Sequence, residues 1–337
     1  MPLKSITLAA AVTAAFALAP IAQAAETTIR FAHVDPAEWT TSKKGAAAKV
    51  FKQIVEGDTA GRIAVETFDS GSLGGETDLL QSAQDGTITM TMVSATYSKF
   101  CPEAAVLDIP YIFPSASVAW SVLDGEFGDQ LADNCLAKSG LRTLAYGETG
   151  FRNFTNSKHP IRSPKDMEGL KIRVMTAPLF VEMVKGMGGK PTPISWPEVP
   201  TALATGVVDG QENPVSVIHA HKFYEIQKYM TLDQHVYGTD FVLINDAFYS
   251  GLSADDQAII KNAAVVAGAV GRSIQQLNSS AGVGALIAEG MEVYKPTAAE
   301  MAEFRAAAQP AVVDWLATKI DRSWIDSLQS AVAGASK

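Results

Sequence analysis

The sequence predicts an α/β protein built from two similar units. Strand-like and helical segments alternate along the chain, the alternation starts again near Gly150, and a long helical pattern follows both units. At 337 residues the chain is also longer than one hydrophobic core usually supports. Its composition, with 47% hydrophobic and 19% charged residues, is that of a globular protein.

The first unit follows the order strand, helix, strand, helix, strand, which is typical of an open α/β sheet. Apolar residues recur at helical spacing in the first helix, and apolar and polar residues alternate in the second strand. A glycine-rich turn at residues 71–75 precedes the second helix. The five elements are predicted over residues 28–33, 40–57, 63–68, 76–84 and 88–93.

The second unit repeats this architecture. A strand over residues 151–155 is followed by Ser163-Pro-Lys-Asp166, a helix-start signature with a hydroxyl cap, a proline at the first helical position and an acid in the first turn. A strand over residues 170–174 and a helix over residues 177–187 come next. The pattern therefore predicts a second α/β unit after Gly150.

Two further helices are predicted in the last third of the chain. Ser253 caps a long helical stretch that continues through Leu277 and is long enough to lie across both units. Thr297 and Glu300 form a capping box, which opens the last sizeable helix toward Trp315.

Residues 1–24 have the layout of a cleavable secretory signal peptide. Lys4 precedes an apolar run over residues 8–19, and Ala22-Gln-Ala24 is a small-x-small cleavage site. The run is shorter than the ~20 residues that cross a bilayer. We therefore expect export to the periplasm and a mature chain that begins at about Ala25.

The two cysteines, Cys101 and Cys135, both lie in the part of the chain that would be exported. An oxidising compartment favours a disulfide between them. Two buried free thiols are the alternative.

The charge and the motifs exclude several classes of function. The formal net charge is −9, which makes nucleic acid an unsuitable partner. A dinucleotide-binding glycine pattern, a phosphate-binding loop and a serine-hydrolase elbow are all missing from the sequence. The five histidines lack metal-ligand spacing. We predict no catalytic residues, no metal and no cofactor.

Arg152 and Arg173 lie in apolar strand segments of the second unit. A buried guanidinium needs an anion, because an unpaired buried charge is costly. The anion could be an internal acid such as Glu148 or Asp209. It could equally be a ligand carboxylate, which the planar fork of arginine binds in a bidentate manner.

Several motifs together resemble the solute-binding receptors of tripartite ATP-independent periplasmic (TRAP) transporters, of DctP type. D-G-Q-E-N-P is the most specific of them, and the resemblance covers essentially the whole chain after the signal peptide. The motifs are GLKIRV at 169–174, WPEV at 196–199, GVVDGQENP at 206–214, KFYEIQKY at 222–229, CPEAAV at 101–106 and IPYIF at 109–113.

The resemblance implies a clamshell like that of periplasmic binding proteins, with two α/β lobes, a ligand cleft between them and a long spanning helix. Lobe I would comprise residues 25–150 plus about 239–278, and lobe II residues 151–238 plus about 279–337. The receptor would act as a monomer and deliver a small organic anion to the membrane subunits of the transporter. Closure of the lobes would bend the spanning helix at Gly268, Gly271 or Gly282, where bending has a low steric cost.

The resemblance also implies which residues bind the ligand. The arginine of the K-I-R-V strand, Arg173, would bind the ligand carboxylate directly, and Asn213 of Q-E-N-P would complete that site. Arg152 would be a second cationic contact. Trp196 would pack on the carbon skeleton of the ligand or else fill the core.

The first lobe is expected to select the ligand. Glu76 corresponds in position to a polar ligand contact, although a first-turn acid could equally interact with the helix dipole. Further candidates at strand ends or in loops are Ser94, Tyr97, Asp240, His33 and Trp39. Acids accept hydrogen bonds from hydroxyl groups, so a hydroxylated or sugar acid is favoured over a plain C4-dicarboxylate. A sensory binding protein and a periplasmic organic-acid enzyme are the alternative functions.

Overall fold

The computed structural model describes residue 25 and residues 27–337, so the predicted signal peptide and its cleavage site lie outside the described residues. In the described part of the chain the strands are β1 (Thr27–His33), β2 (Ile63–Phe68), β3 (Met90–Val93), β4 (Leu141–Asn156), β5 (Lys171–Val174), β6 (Lys190–Pro193), β7 (Gly210–Pro214), β8 (Tyr229–Asn245) and β9 (Glu292–Tyr294). The helices are α1 (Lys43–Asp58), α2 (Glu76–Gln84), α3 (Ala116–Leu123), α4 (Glu126–Ser139), α5 (Pro178–Gly186), α6 (Val199–Ala204), α7 (Val215–Ala220), α8 (Asp246–Ser250), α9 (Ala254–Ala288), α10 (Ala298–Leu316) and α11 (Arg322–Ala335).

The strands form one mixed sheet in the order β2-β1-β3-β8-β4-β7-β5-β6, and β9 pairs with β8. β1 pairs in parallel with β2 and β3, and β5 pairs in parallel with β6 and β7. Helices flank these two parallel groups, which is the α/β architecture that the sequence predicts. The predicted fold class is therefore confirmed.

Two long antiparallel strands, β4 and β8, join the two halves of the sheet. β3 pairs with one end of β8, and β7 pairs with the other end of β4. The predicted lobe boundaries at 150/151 and 238/239 both fall inside these strands, where Gly150 pairs with Gly238 beside a register shift. Both strands thus continue from one half of the sheet into the other, and the lobe ranges themselves stay predictions.

Most predicted elements of the first unit occur close to their expected positions. β2 and α2 have the predicted bounds. α1 begins at Lys43 rather than at residue 40, because the side chain of Ser42 accepts a hydrogen bond from the Gly45 amide at 2.9 Å and caps the helix there. The signature at Ser163 starts only a 3-10 turn, Pro164–Met167.

Other elements differ from the sequence prediction. β4 begins ten residues before the predicted strand at 151, and the 17-residue β8 was not predicted. α3 and α4 were also missed. The helix opened by Thr297 is not the last sizeable one, because the 14-residue α11 follows it. α11 packs Ile325 and Leu328 into the main hydrophobic core, so tertiary burial supports it.

The 35-residue helix α9 spans both halves of the molecule, as expected. Near its start, Ile260 and Ala263 pack in one core with residues of β1 and α1, and near its end Leu286 joins a second core around α6 and α7. A Cβ at Gly268 would lie 2.8 Å from the Tyr146 carbonyl oxygen, and one at Gly282 would lie 2.5 Å from a Val215 methyl group. These two glycines therefore permit close packing, and bending of α9 at them stays a prediction.

The disulfide between Cys101 and Cys135 is present, which confirms the predicted bridge. It joins the 3-10 segment Pro102–Asp108 to α4 across a sequence separation of 34 residues. A loop of that size is worth roughly 3 to 4 kcal/mol in the chain-entropy model. Within the described residues no helix combines the length and hydropathy that a membrane crossing requires.

Candidate functional site

A cavity lies where the loops and helix ends of the two predicted lobes meet. Its volume is about 40 Å³, which is room for a few water molecules. Polar and charged side chains make up most of its lining. The lining residues are Val34, Asp35, Lys43, Lys44, Glu76, Ser94, Thr96, Thr149, Arg152, Arg173, Met175, Thr176, Ser195, Trp196, Asn213 and Val217.

Arg173, on β5, is buried in the cavity lining without a carboxylate partner among the described residues. Its Nε and Nη2 donate to the Ile194 carbonyl oxygen at 3.0 and 2.7 Å, and its Nη1 is buried with no hydrogen-bond partner. Burial lowers the pKa of this guanidinium to about 10, so it stays charged at neutral pH. The Nη1–Nη2 edge therefore has the geometry to bind an anion in a bidentate manner.

Arg152, on β4, also lines the cavity, but it has an internal counterion. Its Nε and Nη2 donate to the carboxylate of Glu212 on β7, and Nη2 also donates to the Glu212 carbonyl oxygen at 2.7 Å. The partner is therefore neither Glu148 nor Asp209. Glu148 accepts instead from Trp120, Tyr237 and Gln276, and Asp209 from the Lys171 amide.

Behind Arg152 the charges continue into the core. The fully buried imidazole of His235 places Nε2 at 3.2 Å from Glu212 and Nδ1 at 2.8 Å from Asp233. Burial would lower the pKa of His235, but Asp233 and Glu212 raise it to about 9. Burial would raise the pKa of Glu212, but Arg152 and His235 lower it to about 2. This network fixes Arg152 in place.

Asn213 and Trp196 complete the side of the cavity that carries the arginines. Asn213 is buried on β7, where its amide nitrogen donates to the Gln211 side chain. The half-buried Trp196 has the Arg173 guanidinium 5.5 Å from its ring centroid and packs edge-on against His221. We call Arg152, Arg173 and Asn213, from three neighbouring strands, the arginine wall.

Glu76 begins α2 and faces the cavity together with Ser94. Its carboxylate accepts from the Ser94 amide at 3.0 Å and from the Ser94 hydroxyl at 3.0 and 3.1 Å. Burial would raise the pKa of Glu76, but the charge of Lys44 and these hydrogen bonds lower it. The carboxylate is therefore ionised at neutral pH.

Lys43 and Lys44 are cavity residues that the sequence analysis missed. Lys43 Nζ lies 2.8 Å from Asp35, and Lys44 Nζ lies 2.8 Å from Glu76 and 3.3 Å from Asp240. We call Asp35, Lys43, Lys44 and Glu76 the lysine wall. A signal was present in the sequence, since two cations in the first turn of a helix oppose its dipole and need another source of stabilisation.

Four candidates from the sequence do not line the cavity. Tyr97 is in the core, where its hydroxyl contacts Ser139 at 3.0 Å. His33 packs edge-on against Phe31, and burial lowers its pKa to about 4.

The other two candidates are Asp240 and Trp39. Asp240 is buried behind the lysine wall, where it contacts Lys44 and Thr149. Trp39 is 48% exposed and stacks with Lys49. Within the described part of the chain, His33 Nδ1 and Asp240 Oδ2 have no hydrogen-bond partner, but neither residue lines the cavity.

The chain resembles known proteins of one family. The family model described as bacterial extracellular solute-binding protein, family 7 (DctP), matches residues 31–319. The chain is 34% identical over 269 residues to the 2,3-diketo-L-gulonate-binding periplasmic protein YiaO of Escherichia coli, covering 80% of each chain.

Two solved structures share the fold along nearly the whole chain. The sugar acid binding protein DctPAm of Advenella mimigardefordensis, in complex with galactonate, matches with a TM-score of 0.88 and 34% identity, covering 93% of this chain and 100% of the other. A TRAP periplasmic solute-binding protein of Roseobacter denitrificans with bound L-galactonate matches with a TM-score of 0.84 and 34% identity, covering 91% and 99%.

Proposed function

Because the chain belongs to the bacterial extracellular solute-binding proteins of family 7, the DctP-type receptors of TRAP transporters, we propose that it captures a small organic carboxylate and delivers it to the membrane subunits. It works in the periplasm as a monomer, mature from about Ala25. Receptors of this family with a bound sugar acid have the same fold. N-terminal sequencing and light scattering of the exported protein test the cleavage site and the monomeric state.

One observation carries the proposal: the buried Arg173 has an unpartnered Nη1 in the lining of the cavity. A buried guanidinium that bonds only a carbonyl oxygen is unfavourable by itself, and a carboxylate on its Nη1–Nη2 edge would supply both charge and hydrogen bonds. Arg152 is already neutralised by Glu212, so Arg173 is the anchor and Arg152 a supporting contact. Asn213 donates to the same carboxylate, and Trp196 packs on the ligand's carbon atoms.

The ligand leaves chemically unchanged. Ser94 and Glu76 are the cavity residues that most resemble a nucleophile with its general base, because their side-chain oxygens are 3.0 Å apart. A general base works best with a pKa near the operating pH. Burial would raise the pKa of Glu76, but the charge of Lys44 and the hydrogen bonds lower it below its usual value. Glu76 is thus a poor base, and Ser94 serves as a hydrogen-bond donor to it.

Titration calorimetry with a panel of small carboxylates tests the proposal. We expect one-to-one binding, an increase in melting temperature with ligand concentration, and recovery of the intact ligand by mass spectrometry. Failure of every carboxylate to bind, or conversion of a bound carboxylate to another compound, would contradict the proposed function.

A further inference from the structure

The lysine wall contains two buried ion pairs inside the cavity. Lys43 Nζ is 2.8 Å from Asp35 Oδ2, and Lys44 Nζ is 2.8 Å from Glu76 Oε1. All four residues are buried, and all four line the cavity. Lys44 also lies 3.3 Å from Asp240, so a second acid stands behind it.

These pairs cancel the positive charge that a second anionic group of a ligand would need. A second carboxylate placed against this wall would lie close to Asp35 and Glu76 as well as to the lysines, and like charges at short range in a desolvated site are repulsive. Burial would raise the pKa of Asp35, but Lys43 and Lys44 lower it well below its usual range, so Asp35 remains ionised. Among the described residues, the two lysines of the wall are thus matched by its own two acids before a ligand enters, and Asp240 lies behind Lys44 in addition.

Hydroxyl groups match this wall well. An ammonium has three N–H donors, so each lysine keeps a donor after bonding one or two acids, and each ionised carboxylate accepts several hydrogen bonds. A hydroxyl both donates and accepts, so it can bridge the two members of an ion pair. An uncharged apolar end would leave these donors and acceptors unpaired, at a cost in affinity.

We propose that the lysine wall makes the receptor selective for polyhydroxy monocarboxylates, and that Asp35 and Glu76 are the residues that exclude dicarboxylates. This inference rests on the proposed function, in which Arg173 binds the one carboxylate of the ligand. The uncharged, hydroxylated end of the ligand then contacts Lys43, Lys44 and their acids.

Asp35→Asn and Glu76→Gln are the substitutions that test the role of the acids. Each keeps the shape and a carbonyl oxygen to accept from its lysine, and each removes one negative charge. The neighbouring lysine then lacks its counterion and can attract a second carboxylate. Glu66→Gln is the matched control, because Glu66 is an exposed acid on β2, outside the cavity lining.

Calorimetry compares acids that differ only at the end remote from the first carboxylate. Galactonate and galactarate form one such pair, and threonate and tartrate form a shorter one. For whichever of these pairs binds, we expect wild type to bind the monocarboxylate about 100-fold more tightly than the dicarboxylate. Both substitutions should reduce this ratio of affinities by about tenfold or more. Glu66→Gln should leave the ratio unchanged.

Three results overturn the inference while the proposed function survives. Wild type could bind the dicarboxylate as tightly as the monocarboxylate, or bind only carboxylates without hydroxyl groups. Alternatively, both substitutions could leave the ratio unchanged in proteins with normal melting temperatures. Failure of wild type to bind any carboxylate would instead contradict the proposed function itself.

Discussion

The arginine wall and the lysine wall both place buried cations in the cavity, but only the lysine wall pairs each of its cations with an acid. On the lysine wall, Lys43 and Lys44 are each within 3 Å of an acid. On the arginine wall, Arg152 is paired with Glu212, whereas Arg173 contacts a backbone carbonyl oxygen and has no acid partner among the described residues. The number of cations in a site therefore does not predict the charge of its ligand, because a ligand anion is attracted by the cation that lacks a counterion.

The largest effect is expected for Arg173→Lys, which breaks the arginine wall at its unpaired member. Lysine keeps the positive charge but lacks the planar fork that bonds the Ile194 carbonyl oxygen on one edge and leaves the other edge for a carboxylate. We expect a loss of at least about 2 kcal/mol, or roughly 30-fold in Kd, by calorimetry. Arg322→Lys, at an exposed arginine, is the control. Equal affinities for the two variants would refute the anchor role.

His235→Gln tests the charges behind the arginine wall. The pKa of His235 is raised from 6.5 to about 9 in the folded protein, so its stabilising contribution is complete below about pH 6.5 and is lost as the pH rises through 9. The free energy of unfolding of wild type should exceed that of the variant by roughly 1–3 kcal/mol at pH 6, and the difference should shrink by pH 9.5.

Denaturant titrations of both proteins between pH 6 and 9.5 measure this difference in the free energy of unfolding. The contributions of the other titrating groups are common to both proteins and largely cancel. A ring titration of His235 in wild type, followed by NMR, gives the pKa even if the variant folds poorly. An imidazole that loses its proton near pH 6.5 would disprove the bridging role between Glu212 and Asp233.

Gly75→Ala acts where the two predicted lobes touch. Gly75 has φ −80°, which any residue accepts, but a Cβ there would lie 2.1 Å from Ser195 Oγ. Gly75 and Ser195 belong to different predicted lobes, so opening would relieve the clash. The alanine should therefore disfavour closure by about 1 kcal/mol, or roughly fivefold in Kd. In small-angle scattering at saturating ligand, Gly75→Ala should also have a larger radius of gyration than wild type, because its closure is incomplete.

Ser195→Ala in the Gly75→Ala background is the matched control. It removes the clashing oxygen and leaves the Ser195 Cβ position 3.5 Å from the new methyl group, which is an ordinary contact. Affinity should return toward that of the Ser195→Ala single variant. If the double variant binds as weakly as Gly75→Ala, steric hindrance of closure is not the cause.

The smallest effects are expected for Trp39→Ala and Tyr97→Phe, because both residues lie outside both walls. Trp39 is exposed at the surface, and the Tyr97 hydroxyl contacts Ser139 within the core. Ligand affinity should change by less than about twofold in either variant. A clear loss of affinity in the Trp39 variant would extend the binding surface beyond the cavity.

Local sequence signals located much of the fold and of the arginine wall. A glycine-rich turn placed α2, an alternating pattern placed β2 and a capping box placed α10, because such signals act within a few residues of the element they start. β8 was missed because it is held by β3, β4 and β9 in the middle of the sheet. Arg173 was found because a charged residue inside an apolar strand is conspicuous in any sequence, and family motifs reinforced it.

By itself, the sequence determined the α/β class, the long helix, the family and the arginines that enter apolar strands. Only the tertiary structure decided which cations are neutralised. Lys44 pairs with Glu76, 32 residues away, and Arg152 pairs with Glu212, 60 residues away. No spacing rule predicts either pair from the sequence. The energy of a buried charge depends on the groups within a few ångströms of it, and the tertiary fold determines which groups those are.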